Sequence, residues 1–122
     1  METQTKLLGR WGEEQAAAYL RGRGWKIIGM NYATRFGEID VIAENRKYVA
    51  FVEVKLRKSD RFAAAREYVT RAKQERLLLA AESWLAVNRT EKQPRFDVIE
   101  VYAPQGRETP QPIIEHYEDA FR

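Results

Sequence analysis

The chain has 122 residues, 44% hydrophobic and 32% charged, the size and balance of one folded globular domain, which excludes wholesale disorder. It contains no cysteine and a single histidine, His116, so disulfide frameworks, thiolate zinc sites and cysteine nucleophiles are excluded and any metal must rest mainly on carboxylates. The net charge of +3 says little alone, but eight basic residues against three acidic from Lys55 to Arg76 make a local +5 and leave the rest of the chain at −2.

In chain order, the spacing predicts a first helix from about Lys6 to Arg21, with Thr5 as a candidate cap and Gly22 and Gly24 closing it. Its stripe of Gly9, Gly12, Glu13, Ala16 and Leu20 places a carboxylate among small residues that admit a close neighbour. A strand from about Trp25 to Tyr32 and a turn around Arg35-Phe36-Gly37 precede a second strand, Glu38 to Ala43, and a hairpin at Glu44–Lys47 leads into a third, Tyr48 to Arg57. The third is rich in Val and Phe on both faces, as a central, doubly covered strand would be.

After a polar loop, a helix from about Thr70 to Val87 carries Leu77, Ala80, Trp84 and Val87 on one stripe, with Lys73 one turn earlier. A fourth strand, Arg95 to Tyr102, is followed by a Pro- and Gly-containing loop and a short apolar run, Ile113-Ile114. No repeat, linker or low-complexity tract divides this order, and αβββαβ implies a single α/β domain with a central mixed sheet flanked by helices. No stretch approaches the roughly 20 apolar residues of a membrane span, and the N-terminus lacks an apolar signal core, so a cytoplasmic protein with no membrane partner is expected.

Glu38, Asp40, Glu53 and Lys55 interrupt apolar runs, and burying ionised groups is costly unless they are paired or metal-bound. If Ala43 opposes Tyr48 across the hairpin, Glu38 opposes Glu53, Asp40 opposes Phe51, and all four charges emerge on one side of the sheet. Asp40 then lies diagonally from Glu53 at roughly 7 to 8 Å, a separation that a hard divalent cation can bridge. Lys55 could stabilise charge developing on a phosphate or position an attacking water. Glu38 either orients Lys55 or Arg57 or closes a strand end, Glu13 is either a ligand or an ordinary surface residue, and Lys73 either contacts phosphate or extends its stem along the surface. The basic segment supplies Arg57, Lys58, Arg61, Arg71, Lys73 and Arg76, with Gln74 beside them, as candidate nucleic-acid contacts. Asp97 is expected to be structural, pairing Arg95 or Arg57 or capping a loop, and His116 to pack rather than catalyse.

Asp40 followed by Glu53-Val54-Lys55 resembles the PD-(D/E)xK nuclease signature, although Ile39 stands where that signature has Pro. The wider set, Gly12-Glu13, Asn31, Gly37-Glu38-Ile39-Asp40, Phe51-Val52-Glu53-Val54-Lys55 with Arg57, Lys73 and Arg95-Phe96-Asp97-Val98, resembles the YraN-like family of predicted endonucleases and spans most of the chain. The resemblance implies a restriction-endonuclease-like fold similar to archaeal Holliday junction resolvases. It implies Mg²⁺ or Mn²⁺ on Asp40, Glu53, Glu13 and the Val54 carbonyl, with Lys55 as the catalytic lysine beside Asp40 and Glu53; Glu38 joins the candidate catalytic group on the residue reading above. It also implies metal-dependent hydrolysis of nucleic acid, DNA rather than RNA and branched by analogy, with a homodimer supplying paired cuts. The alternatives are a non-catalytic nucleic-acid-binding module on the same fold, and a protein-interaction domain whose polar cluster is structural.

Overall fold

The computed structural model describes residues 3–58 and 70–121. Helix α1 spans Gln4–Gly22, β1 Lys26–Thr34, β2 Gly37–Glu44, β3 Tyr48–Arg57, α2 Arg71–Val87, β4 Gln93–Tyr102 and β5 Ile113–Tyr117, with a short 3-10 turn at Gly106–Glu108. The five strands form one sheet in sequence order. Strands β1, β2 and β3 are antiparallel neighbours, β4 runs parallel to β3, and β5 returns antiparallel to β4. The parallel pair needs a crossover, which contains α2. The expected mixed α/β architecture is thus present, with one strand more than anticipated.

Helix α1 is capped by Thr3, whose Oγ1 accepts the Lys6 N–H at 3.1 Å, so Thr5 lies inside the helix instead of capping it. Gly12, Ala16, Ala17 and Leu20 face the sheet. Their small size sets the approach, since a Cβ on Gly12 would meet Leu56 Cδ1 at 3.2 Å. On this face α1 joins Trp25, Val41, Ala43, Ala50, Val52, Ile99 and Val101 in one core. Helix α2 covers the other face with Leu77, Ala80, Ala81 and Trp84 against Ile39, Ile42, Val49 and Phe51. Strand β3 therefore feeds both cores, as its continuous apolar run implies. Val87, expected to end the buried stripe, is the last residue of α2 and is 75% exposed, so the buried stripe ends at Trp84.

The β2–β3 register differs from expectation by two. The Asn45 N–H donates to the Tyr48 carbonyl at 3.0 Å, and Asn45 Oδ1 accepts the Lys47 and Tyr48 N–H groups at 2.9 and 2.7 Å. This side-chain bracket shortens the connection to a two-residue turn at Arg46-Lys47, so Ile42, not Asp40, opposes Phe51. Although the slip is even, the alternation of β2 does not hold through Asp40: Val41 and Ala43 face α1, whereas Ile39 joins Ile42 on the α2 side, so the expected single face for the four charges does not follow from the ladder. Beyond the anticipated Ile113-Ile114 run, β5 continues with Glu115 across from Glu100 and Tyr117 across from Val98.

Asp97 is structural, as expected, and its partner is Arg95. Arg95 donates from Nε and Nη2 to the two Asp97 oxygens at 2.9 and 2.8 Å, while His116 Nε2 lies 2.7 Å from Oδ2 and the Asp119 N–H donates at 3.0 Å. Burial pushes the Asp97 carboxyl up, but these hydrogen bonds outweigh it and hold the group below the usual carboxylate range. Asp97 is fully buried and ties β5 and the following turn to β4. His116 packs edge-on against Tyr19 of α1.

Candidate metal and catalytic centre

The β2–β3 ladder runs from Glu44↔Val49 to Val41↔Val52 and stops there, one residue short of Asp40. There a side chain replaces the backbone rung: Asp40 Oδ2 accepts the Val54 N–H at 2.8 Å. On the other side of β2, the pairs Met30↔Val41 and Tyr32↔Ile39 bracket Asn31 and Asp40. Asn31 sits in the left-handed region at φ +52°, a conformation that Asn tolerates better than most residues. The sheet is therefore irregular on both sides of Asp40.

Glu13 reaches this point from α1. One carboxylate oxygen from each of Glu13, Glu38 and Asp40 lies within 4.8 Å of the others, a grouping that could hold a metal ion. Glu13 Oε1 is buried with no hydrogen-bond partner. Burial raises the Glu13 carboxyl, hydrogen bonds to Asn31 and Asp40 oppose the rise, and the charges of Glu38 and Glu53 add to it. Asp40 is pushed up to about 8, first by burial and then by Glu53 and Glu13, against the Val54 N–H and the Lys73 charge.

Beside this group lies a second one. Glu53 is only 5% exposed, and its Oε1 meets Lys73 Nζ at 2.5 Å and Lys55 Nζ at 3.2 Å. Burial and the adjacent Lys73 lower the Lys55 ammonium, with Glu53 opposing. Burial, the largest single effect, lowers Lys73 too, but its bonds to Glu53 and Lys55 and the charges of Glu53 and Asp40 together outweigh it, and its value ends above normal. Lys73 comes from the first turn of α2, where Thr70 Oγ1 accepts its backbone N–H at 3.1 Å.

The residues singled out from sequence thus fall into two adjoining sets. Glu13, Glu38 and Asp40 converge, while Glu53 is engaged by Lys55 and Lys73, and Val54 offers its N–H to Asp40. Lys58, Arg71 and Arg76 are exposed, Arg57 and Gln74 are half-buried, and Arg61 lies outside the described residues. Arg76 adjoins the β1–β2 turn, its Cβ being 3.9 Å from where a Gly37 Cβ would stand.

Two groups had no assigned role in the sequence reading. Asn31 bonds Glu13, and the signal for it is a turn-forming Asn inside an otherwise strand-like run. Glu100 is fully buried opposite Lys55 in the β3–β4 ladder and accepts from the Tyr102 hydroxyl. That bond, with burial, pushes the Tyr102 hydroxyl up to about 12. Its signal is the lone carboxylate in the apolar run Val98-Ile99-Glu100-Val101-Tyr102.

Residues 12–101 match the model of a family described as "Uncharacterised protein family UPF0102". A UPF0102 protein of Syntrophotalea carbinolica is 43% identical over 122 residues, covering 99% of this chain and 96% of the relative. One from Bifidobacterium longum subsp. infantis is 40% identical over 121 residues, covering 95% and 94%, and one from Rhodococcus opacus is 43% identical over 115 residues, covering 93% and 95%. The matched span takes in Glu13, Glu38, Asp40, Glu53, Lys55 and Lys73 together, and the chain belongs to the UPF0102 family.

Proposed function

We propose that this chain is a single-domain, divalent-metal-dependent nuclease of the PD-(D/E)xK type, acting in the cytoplasm on nucleic acid, DNA rather than RNA. The observation that carries the reading is the convergence of Glu13, Glu38 and Asp40 within 4.8 Å beside a buried Glu53 and its Lys55. The donor set fits a hard cation: the ligands are all oxygen, and the buried Glu13 Oε1 has no hydrogen bond. Mg²⁺ or Mn²⁺ would be held by Asp40, Glu13 and Glu53 with the Val54 carbonyl, and Glu38 supplies a further oxygen. Bound there, the ion would polarise a phosphodiester and acidify a water.

The chain's own residues supply the rest. Lys55, held by Glu53, offers a positive charge where charge develops on the phosphate, or orients the water. Lys58, Arg71 and Arg76 offer exposed cations for the backbone, and Arg57, Lys73 and Gln74 stand nearer the carboxylates. No described helix is long and apolar enough to cross a membrane. Branched DNA and a homodimer are part of this reading by analogy with junction resolvases.

The test is cleavage of labelled duplex, single strand, flap, four-way junction and RNA with Mg²⁺ or Mn²⁺, comparing the wild type with Asp40→Asn, Glu53→Gln and Lys55→Ala. The expected result is metal-dependent cutting lost in all three folded variants; full activity in any of them removes that residue from the catalytic group. The exposed cations also favour a second reading, a non-catalytic nucleic-acid-binding module. Salt-sensitive binding without turnover, unchanged by Asp40→Asn, would support it.

A further inference from the structure

Both lysines that touch Glu53 meet the same oxygen, Oε1, and the closer is the one from the helix, Lys73, not the strand lysine two residues away. Glu53 is 5% exposed, and a carboxylate so buried needs a counter-charge wherever no metal supplies one. Lys73 is about one-third exposed, on the opening turn of α2, so its ammonium can leave Glu53 for water by side-chain rotation alone. Asp40 feels both the repulsion of Glu53 and the attraction of Lys73, which puts all three groups within electrostatic reach of one another.

We propose that Lys73 is the site's internal counter-cation: it neutralises Glu53 while the carboxylate group holds no metal, and divalent-metal binding displaces it toward the phosphate side of the site. The inference rests on the metal-site reading above and adds to it a regulation, in which metal loading releases a cation for substrate. Lys73 is thus a positioning residue whose partner is Glu53. A cation held by Glu13, Glu38, Asp40 and Glu53 competes with Lys73 for the Glu53 carboxylate, and removing the ammonium relieves that competition.

The experiment is calorimetric titration of the full chain with Mn²⁺ alone, comparing wild type, Lys73→Met, Glu53→Gln and the double variant. Lys73→Met keeps the side-chain length, and its thermal unfolding is recorded to confirm that it folds. Mn²⁺ should bind Lys73→Met about tenfold more tightly than wild type, while in the Glu53→Gln background the same change should alter affinity by less than about twofold. Equal gains in both backgrounds would reduce Lys73 to a contributor to the general field and overturn the proposal, as would no gain in the wild-type background. Failure of the wild type to bind Mn²⁺ would overturn the metal-site reading itself, and the inference with it.

Discussion

Asp40 and Val54 are joined by a hydrogen bond that replaces a rung of the sheet, the Asp40 carboxylate taking the Val54 N–H at 2.8 Å where the β2–β3 ladder stops. The bond fixes the carboxylate, and the buried site it occupies, between Glu53 and Glu13, raises its affinity for a proton. Asp40→Asn keeps an acceptor for the Val54 N–H and removes the repulsion. At pH 9 without metal it should be more stable than wild type by about 1 kcal/mol in denaturant unfolding, while Mn²⁺ binding falls at least tenfold. Asp40→Ala, which leaves the Val54 N–H without its partner, should instead lose about 1–3 kcal/mol.

The same group sets a pH dependence. Asp40 ordinarily ionises near 3.8 and in the fold near 8, so the folded state holds a proton that the unfolded chain has released. The stabilisation is fully present below the unfolded value and is lost as pH rises toward about 8, the reverse of a salt-bridged carboxylate. Metal-free thermal unfolding should therefore fall between pH 6 and pH 8.5 by more in the wild type than in Asp40→Asn. Metal displaces the proton, so the stabilisation from a fixed Mn²⁺ concentration should be larger at pH 8.5 than at pH 6.

The candidate site was legible where a charge stood in an apolar run, because burial makes such a residue costly unless it is partnered. Asp40, Glu53 and Lys55 were found this way, and Asp97 was recognised as structural. The hairpin register was not legible, because Asn45 decides it through its side chain, bracketing Arg46-Lys47 from outside the turn where composition alone would draw the turn around Asn45 itself. Of strand β5 only the apolar pair Ile113-Ile114 was legible, because Glu115 and His116 carry no strand signal until Asp97 and β4 are there to pair with. That Lys73 would reach Glu53 could not be read from spacing alone, since it depends on where α2 lands on the sheet. Its place on the buried stripe of α2 was visible.

Gly12 tests how closely α1 must lie for Glu13 to reach the site. An added Cβ would stand 3.2 Å from Leu56 Cδ1, the far end of a flexible side chain. Gly12→Ala should therefore stay within about 1 kcal/mol of wild type, the helix-propensity gain offsetting the crowding. Gly12→Leu cannot be absorbed so easily, and by lifting α1 it should lose about 1–3 kcal/mol and weaken Mn²⁺ binding several-fold, with Glu13 still present. Chemical denaturation and calorimetry on the same preparations separate the two effects; unchanged metal affinity in folded Gly12→Leu would show that Glu13 does not depend on this packing.

Asp97 should behave in the opposite sense to Asp40. It is fully buried, bonded to Arg95, His116 and the Asp119 N–H, and held below its ordinary carboxylate value. A depressed carboxylate adds stability above its unfolded pKa and loses it as pH falls through the folded value, so this contribution is intact at neutral pH and disappears in strong acid. Removing the charge leaves Arg95 beside the rings of Trp25 and Tyr48 without its bidentate partner, and the end of β5 loses its tie to β4. Asp97→Ala should cost about 3–5 kcal/mol at pH 7, and Asp97→Asn less, since the amide keeps an acceptor for one of the three donors. Urea unfolding at pH 7 checks the magnitude: an Asp97→Ala cost below about 1 kcal/mol would mean that Asp97 is not the anchor of this network.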